Sequence, residues 1–249
     1  MLAKEIYVER REILKKSLKE GVVIIAGNGE APRSYKDECY TFTQDATFRY
    51  YFGMDIPNLV GVIDIENNKE YVFGTDFTLD DIVWMGEQKL LKSFAEEAGV
   101  ENFVEMCEFD SFAAQLIKDK KRVHLLPQYR AENTLKLCKA FEIDPFKYEE
   151  YISWDLVKAV IEQRNTKTPV EIAQIENAVN ITREMHLTAM KTVKAGMKEY
   201  EVVAALEAVA KKHYGDISFH TIFTKNGHIL HNHGYDNTVE DGDMIPGTL

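Results

Sequence analysis

Apolar positions recur at helical spacing through residues 5–19, at Ile6, Tyr7, Ile13, Leu14 and Leu18, with the stem of Arg10 filling one place. Gly21 stops that run, and the β-branched block at residues 22–26 reads as a buried strand. A second strand is predicted at residues 59–65 and a third at 70–73, joined as a hairpin across Asn67-Asn68. Helical patterns follow at 77–85, 87–98, 109–118 and 131–140, with strands near 103–106 and at 123–126. Strands mixed with helices predict an α/β domain with its own core. The aromatic group Phe48, Tyr50, Tyr51 and Phe52 reads as a wedge in that core, and Gly27-Asn28-Gly29 as a turn.

Residues 141–145 look like a joint, which places the domains at 1–150 and 151–249. A helix is predicted at 151–163, then a polar break at 164–167. Thr168, Pro169 and Glu171 mark the next helix start as N-cap, N1 and N3 of a capping box. Its buried stripe is predicted as Ile172, Ile175, Val179, Thr182, His186, Ala189 and Val193, with Gly196 as the stop. An amphipathic helix at about 199–214 precedes a predicted hairpin, with strands at 217–224 and 228–231 around Lys225-Asn226-Gly227. Two helices and a hairpin suggest an α+β domain, short of a closed core.

Charge narrows the partners. Thirty Lys and Arg against 41 Asp and Glu leave a net charge of −11 over 249 residues. Nucleic acid and anionic membrane surfaces both need a basic footprint, so neither is expected as a partner. No apolar run approaches the roughly 20 residues of a membrane-spanning helix. The charged start of the chain has no apolar signal core. Cys39, Cys107 and Cys138 lack CxxC spacing and read as free thiols. A reducing, cytoplasmic-type compartment is expected.

Histidine carries most of the candidate chemistry. Four of the seven, His220, His228, His231 and His233, fall within residues 220–233. On a strand, His231 and His233 would share a face, yet a metal site needs three or four converging ligands. His186 and His213 read as core or rim residues and His124 as part of a strand. No GxSxG, HExxH, Walker or GxGxxG pattern is present. The acidic run 240–243 reads as a solvated turn.

Ordered matches along the chain nevertheless resemble one family. Thr43-Gln44-Asp45-Ala46-Thr47-Phe48-Arg49-Tyr50-Tyr51-Phe52-Gly53 and Pro57-Asn58 resemble the N-terminal domain signature of aminopeptidase P. Thr43 stands where that signature has arginine and Ile56 where it has glutamate. Asp81-Ile82-Val83-Trp84-Met85-Gly86 resembles the I-W-x-G segment of the same domain. Thr168-Pro169-Val170-Glu171-Ile172, Asn226-Gly227-His228-Ile229-Leu230-His231 and Glu240-Asp241-Gly242-Asp243 resemble successive motifs of the creatinase/aminopeptidase pita-bread domain.

The resemblance implies an α/β N-terminal domain followed by an incomplete α+β pita-bread domain. It implies a metallopeptidase that removes the residue before proline, using two manganese ions and a bridging hydroxide. Three residues carry over: His231 as a catalytic residue on the substrate side, and Trp84 and Asp37 as substrate-binding residues at the mouth of the site. Homo-oligomers through the N-terminal domain are also implied. The family's five ligands (two Asp, one His, two Glu) begin on a strand after the G-D turn, where this chain reads Met244-Ile245-Pro246-Gly247-Thr248-Leu249. None of the five is matched. The expectation is that the metal ions do not bind stably to these residues and that the polypeptide is inactive. The alternatives are a non-catalytic oligomerisation module and a prolidase- or creatinase-like member.

Overall fold

The computed structural model describes residues 1–248. They form two compact units, the first of residues Met1–Thr166 and the second beginning at Lys167. The first unit runs past the domain boundary expected at 150, and the reason is packing. Helix α7 (Trp154–Asn165), capped by the Ser153 hydroxyl, buries Leu156 and Val160 in the core of the first unit and lies against α1 (Lys4–Leu18). It begins later than predicted, because Pro145–Tyr151 forms a 3-10 segment instead.

The first unit is built on a five-stranded sheet of β1 (Val22–Ala26), β2 (Val60–Asp64), β3 (Lys69–Gly74), β4 (Asn102–Glu105) and β5 (Val123–Leu125). The spatial order is β4-β3-β2-β1-β5. The predicted β2–β3 hairpin forms in register, Val62 opposite Tyr71, with Asn68 in the left-handed region at φ 49°. Strand β1 pairs antiparallel with β2 and parallel with β5.

Alternation along β1 sends its side chains into two separate cores. Val23 and Ile25 meet α2 (Ala46–Phe52) through Phe48, Tyr51 and Phe52, together with α4 (Leu91–Glu97) and α7. Val22, Ile24 and Ala26 meet α5 (Phe109–Lys118) and α6 (Ala131–Ala140) through Phe109, Leu137 and Cys138. The expected aromatic wedge is therefore the helix α2, its N-terminus capped by Asp45, which accepts the amides of Thr47 and Phe48. Helix α3 (Leu79–Met85) carries a Thr78–Asp81 capping box and buries none of its residues.

His124 lies in β5 and is buried. Its Nε2 stands 3.1 Å from the Glu20 carbonyl, which can only accept, so Nε2 carries the proton. Nδ1 then accepts the Ser153 hydroxyl at 2.6 Å, and that oxygen also takes the Leu156 amide. Burial, the larger cause, pushes the His124 pKa down, although the Glu20 bond opposes it. A folded-state pKa below the unfolded value near about 6.5 means the unfolded chain takes up the proton first. Stability is therefore fully present above that pH and falls as pH drops toward the folded-state pKa. Urea midpoints at pH 7.5 and 5.5 should differ less in His124→Gln than in the parent chain.

The second unit pairs α8 (Pro169–Thr192) with α9 (Glu199–Lys212). The capping box at Thr168 and Glu171 forms as predicted, the Thr168 amide reaching Glu171 Oε2 at 2.8 Å. The predicted stripe is only partly covered. Met185 and Ala189 are buried against Val202, Leu206 and Val209, whereas Ile172, Ile175 and Val179 are exposed. Helix α9 has 14 residues against 24 in α8 and covers only its C-terminal part.

The hairpin expected at 217–231 does not form. Only Ile222–Phe223 is a strand, β6, and its partner is β7 (Gly247–Thr248) rather than residues 228–231.

Candidate functional site

The candidate site in the second unit is the loop between Lys225 and Asn237, which carries His228, His231 and His233. Sequence places His228 and His231 on a strand at 228–231, but the structure puts His231 in a turn, with the residue exposed. His231 and His233 consequently do not share a strand face. His233 instead meets His220 edge to face, with ring centroids 5.7 Å apart.

What orders this loop is a buried carboxylate. Glu199, the first residue of α9, is 0% exposed. Its Oε1 accepts the Lys225 amide at 2.8 Å, and Oε2 accepts Asn237 Nδ2 at 3.0 Å. The Glu199 amide in turn donates to the Asn237 carbonyl at 3.1 Å. One side chain thus fastens both ends of the loop, and hydrogen bonds to a charged group are among the stronger ones. Glu201 accepts the Lys198 amide at 2.7 Å, closing the first turn of the same helix.

Lys225 adds a second tie, its ammonium lying 3.0 Å from Glu240 and 4.0 Å from Asp243. The Glu240 hydrogen bond, the largest cause, raises the Lys225 pKa. The acidic run at 240–243 is thus a turn pinned to the loop. Within the loop, the Asn232 side chain bonds both the amide and the carbonyl of Gly234. The same unit holds a cavity of about 190 Å³ lined by His186, Met190, Val193, Phe223 and Ile245, with no residue of the loop in its wall. His186 thus lines a cavity, and His213 is exposed and paired to Glu184 at 3.0 Å.

The arrangement presents an imidazole on a fastened loop, able to donate or accept one hydrogen bond. Among the described residues, no group of three or more His, Cys, Asp and Glu side chains is placed to hold a metal ion. The residues present therefore do not fit the two-metal set that the resemblance implies. No sequence motif singles out Glu199. An acid in the first turn of a helix signals only favourable dipole placement, whereas the loop it fastens returns from far along the chain.

The first unit carries the other two candidates. Asp37 sits exposed in the turn between the bridged residues Pro32 and Cys39. Trp84 lies on α3 and is 81% exposed. Neither side chain makes a hydrogen bond among the described residues. No described helix is long and apolar enough to cross a membrane.

The described residues thus form an α/β domain followed by a helix pair and a histidine-bearing loop. Residues 7–125 match the family described as "Aminopeptidase P, N-terminal domain", and residues 173–246 match "Metallopeptidase family M24". The chain thus carries an aminopeptidase P N-terminal domain followed by part of an M24 metallopeptidase domain.

Human Xaa-Pro dipeptidase is 27% identical over 234 residues, covering 90% of this chain and 46% of that protein. Xaa-Pro aminopeptidase of Escherichia coli is 26% identical, covering 98% of this chain and 58% of that protein. The chain thus spans about half the length of the curated relatives it matches. Zinc-substituted E. coli aminopeptidase P in complex with product superimposes with a TM-score of 0.82 at 24% identity, over 99% of this chain and 58% of that one. That likeness supports the fold.

Proposed function

We propose that these residues belong to a metal-dependent Xaa-Pro aminopeptidase, an enzyme whose substrates are peptides with a proline after the N-terminal residue. The observation that carries this is the consecutive match to the aminopeptidase P N-terminal domain and the M24 domain along one chain. His231 binds the peptide on the substrate side and stabilises charge that develops on the scissile carbonyl oxygen. Trp84 and Asp37 contribute to substrate binding, Trp84 to that of a neighbouring copy in a homo-oligomer. A pair of manganese ions would supply the activated water. The described residues do not provide its ligands, so a polypeptide of these 249 residues is expected to be inactive.

The test is hydrolysis of an Xaa-Pro-Xaa tripeptide by the purified 249-residue chain with added manganese. Activity at background is expected. Robust turnover that His231→Ala abolishes would overturn the expectation of inactivity.

A second reading is a non-catalytic assembly module, favoured by the apolar surface of α3, where Leu79, Val83, Trp84 and Met85 are all exposed. A defined oligomer that Trp84→Ala dissolves in sedimentation, without hydrolysis, selects this reading. Prolidase-type activity, the work of the human relative, is separated from aminopeptidase activity by substrate length. Xaa-Pro dipeptides would be cleaved and longer peptides spared.

A further inference from the structure

The first unit contains a cleft that the peptidase reading leaves unused. Strands β1 and β5 are parallel neighbours, so their carboxyl ends lie side by side. From β1 the chain leads to α2 on one face of the sheet, and from β5 to α6 on the other. Connections that leave adjacent parallel strands for opposite faces open a crevice beyond the strand ends, the usual place for a ligand in an open α/β sheet. Here that crevice has a volume of about 260 Å³, with Leu126, Val157 and Ile161 as apolar lining and Asp45, Thr47 and Tyr129 as polar lining. An apolar cleft with a few convergent polar groups suits a small metabolite.

The carboxylate on its wall indicates the chemistry. Asp45 Oδ1 accepts the Thr47 and Phe48 amides at 2.9 and 2.8 Å, which leaves Oδ2 over. Asn28 Nδ2 donates to the Thr43 carbonyl at 2.9 Å and to the Tyr129 hydroxyl at 2.8 Å, which fixes the orientation of its amide. Asn28 thereby anchors Tyr129, which lines the cleft, while Asn28 itself is 2% exposed and not part of the lining. The acceptor left over on the lining is a carboxylate oxygen, so the matching ligand is a cationic donor. Arg164 Nη1 reaches Thr47 Oγ1 at 3.2 Å and so serves the hydroxyl.

We propose that this cleft binds a small molecule with an apolar body and a protonated primary amine, its ammonium held by Asp45 and its body against Leu126, Val157 and Ile161.

The probe is phenethylamine, titrated at pH 7 into the 15N-labelled full chain. Saturable amide shifts confined to Ala26, Thr47, Tyr129 and Ile161 are expected. Asp45→Asn keeps the helix cap, since Asn and Asp are equivalent there. It removes the charge and should weaken binding by at least about tenfold. Ile161→Trp, at a half-exposed position of α7, should fill the cleft and abolish the shifts while leaving the α2 and β1 amides at their parent positions. Any of three results overturns the proposal: shifts that do not saturate or that lie elsewhere, unchanged affinity in Asp45→Asn, or equal binding of phenethyl alcohol.

Discussion

Arg11→Ala is expected to remove about 3–5 kcal/mol from the unfolding free energy of the first unit, the scale for deleting one partner of a buried charged network. Arg11 is 0% exposed, and its guanidinium does the work of a cap for two helices at once. Nη1 donates to the Tyr51 carbonyl at 2.8 Å, near the end of α2. Nη2 donates to the Ala98 and Gly99 carbonyls, each at 3.0 Å, just past α4. These carbonyls at helix ends have no intrahelical donors, and the site is closed to water. Glu70, 3.8 Å from Nε and also paired to Lys15, balances the charge. Burial lowers the Arg11 pKa, with Glu70 and then Glu12 pulling it back up.

Alanine leaves three carbonyls unmet and opens a cavity. Arg11→Lys should recover only part of the loss, because one ammonium cannot span two helix ends as a planar fork does. Urea denaturation followed by far-ultraviolet circular dichroism reads the difference. A loss below about 1 kcal/mol for Arg11→Ala would mean that water caps the two helix ends equally well.

Arg11 also marks where the sequence stops being legible. The helical period of α1 is plain, but its buried face is not simply the apolar one. Arg10, Arg11 and Lys15 are buried while Ile13 is exposed. The face is set by which carbonyls α1 must meet, and those lie at the ends of α2 and α4, far along the chain. Strands β1, β2 and β3 are readable because β-branched runs and an Asn-Asn turn are local signals. The parallel pairings of β1 with β5 and of β3 with β4 are tertiary facts with no local signature.

In the second unit, residues 217–224 have strand-like composition, yet a strand needs a partner. Only Ile222 and Phe223 find one, at Gly247 and Thr248. His231, Trp84 and Asp37 enter through motif resemblance. Their positions on an exposed turn, an exposed helix and an exposed loop do not follow from periodicity.

Glu199→Ala should be the most damaging single change in the second unit, costing about 3 kcal/mol from two unmet donors, each about 1–3 kcal/mol. The Lys225 amide and the Asn237 side chain, both of half-buried residues, would lose the fully buried acceptor they share. Glu199→Gln keeps an acceptor for Lys225 but sets an amide donor against the Asn237 donor, so it should fall between alanine and the parent chain. The loss should be uneven along the unit. Contacts between α8 and α9, such as Met185 and Ala189 on Leu206, do not involve the carboxylate.

Amide hydrogen exchange resolved by residue should therefore rise first and most at 225–237, while the α9 interior keeps its protection. Asn237→Ala removes one donor and leaves the carboxylate bonded to Lys225, so it should free the far end of the loop and spare the near end. Uniform exchange across α8, α9 and the loop in Glu199→Ala would instead mean that the unit unfolds as one body. The carboxylate would then be a global core contact, with no separate part in presenting His231.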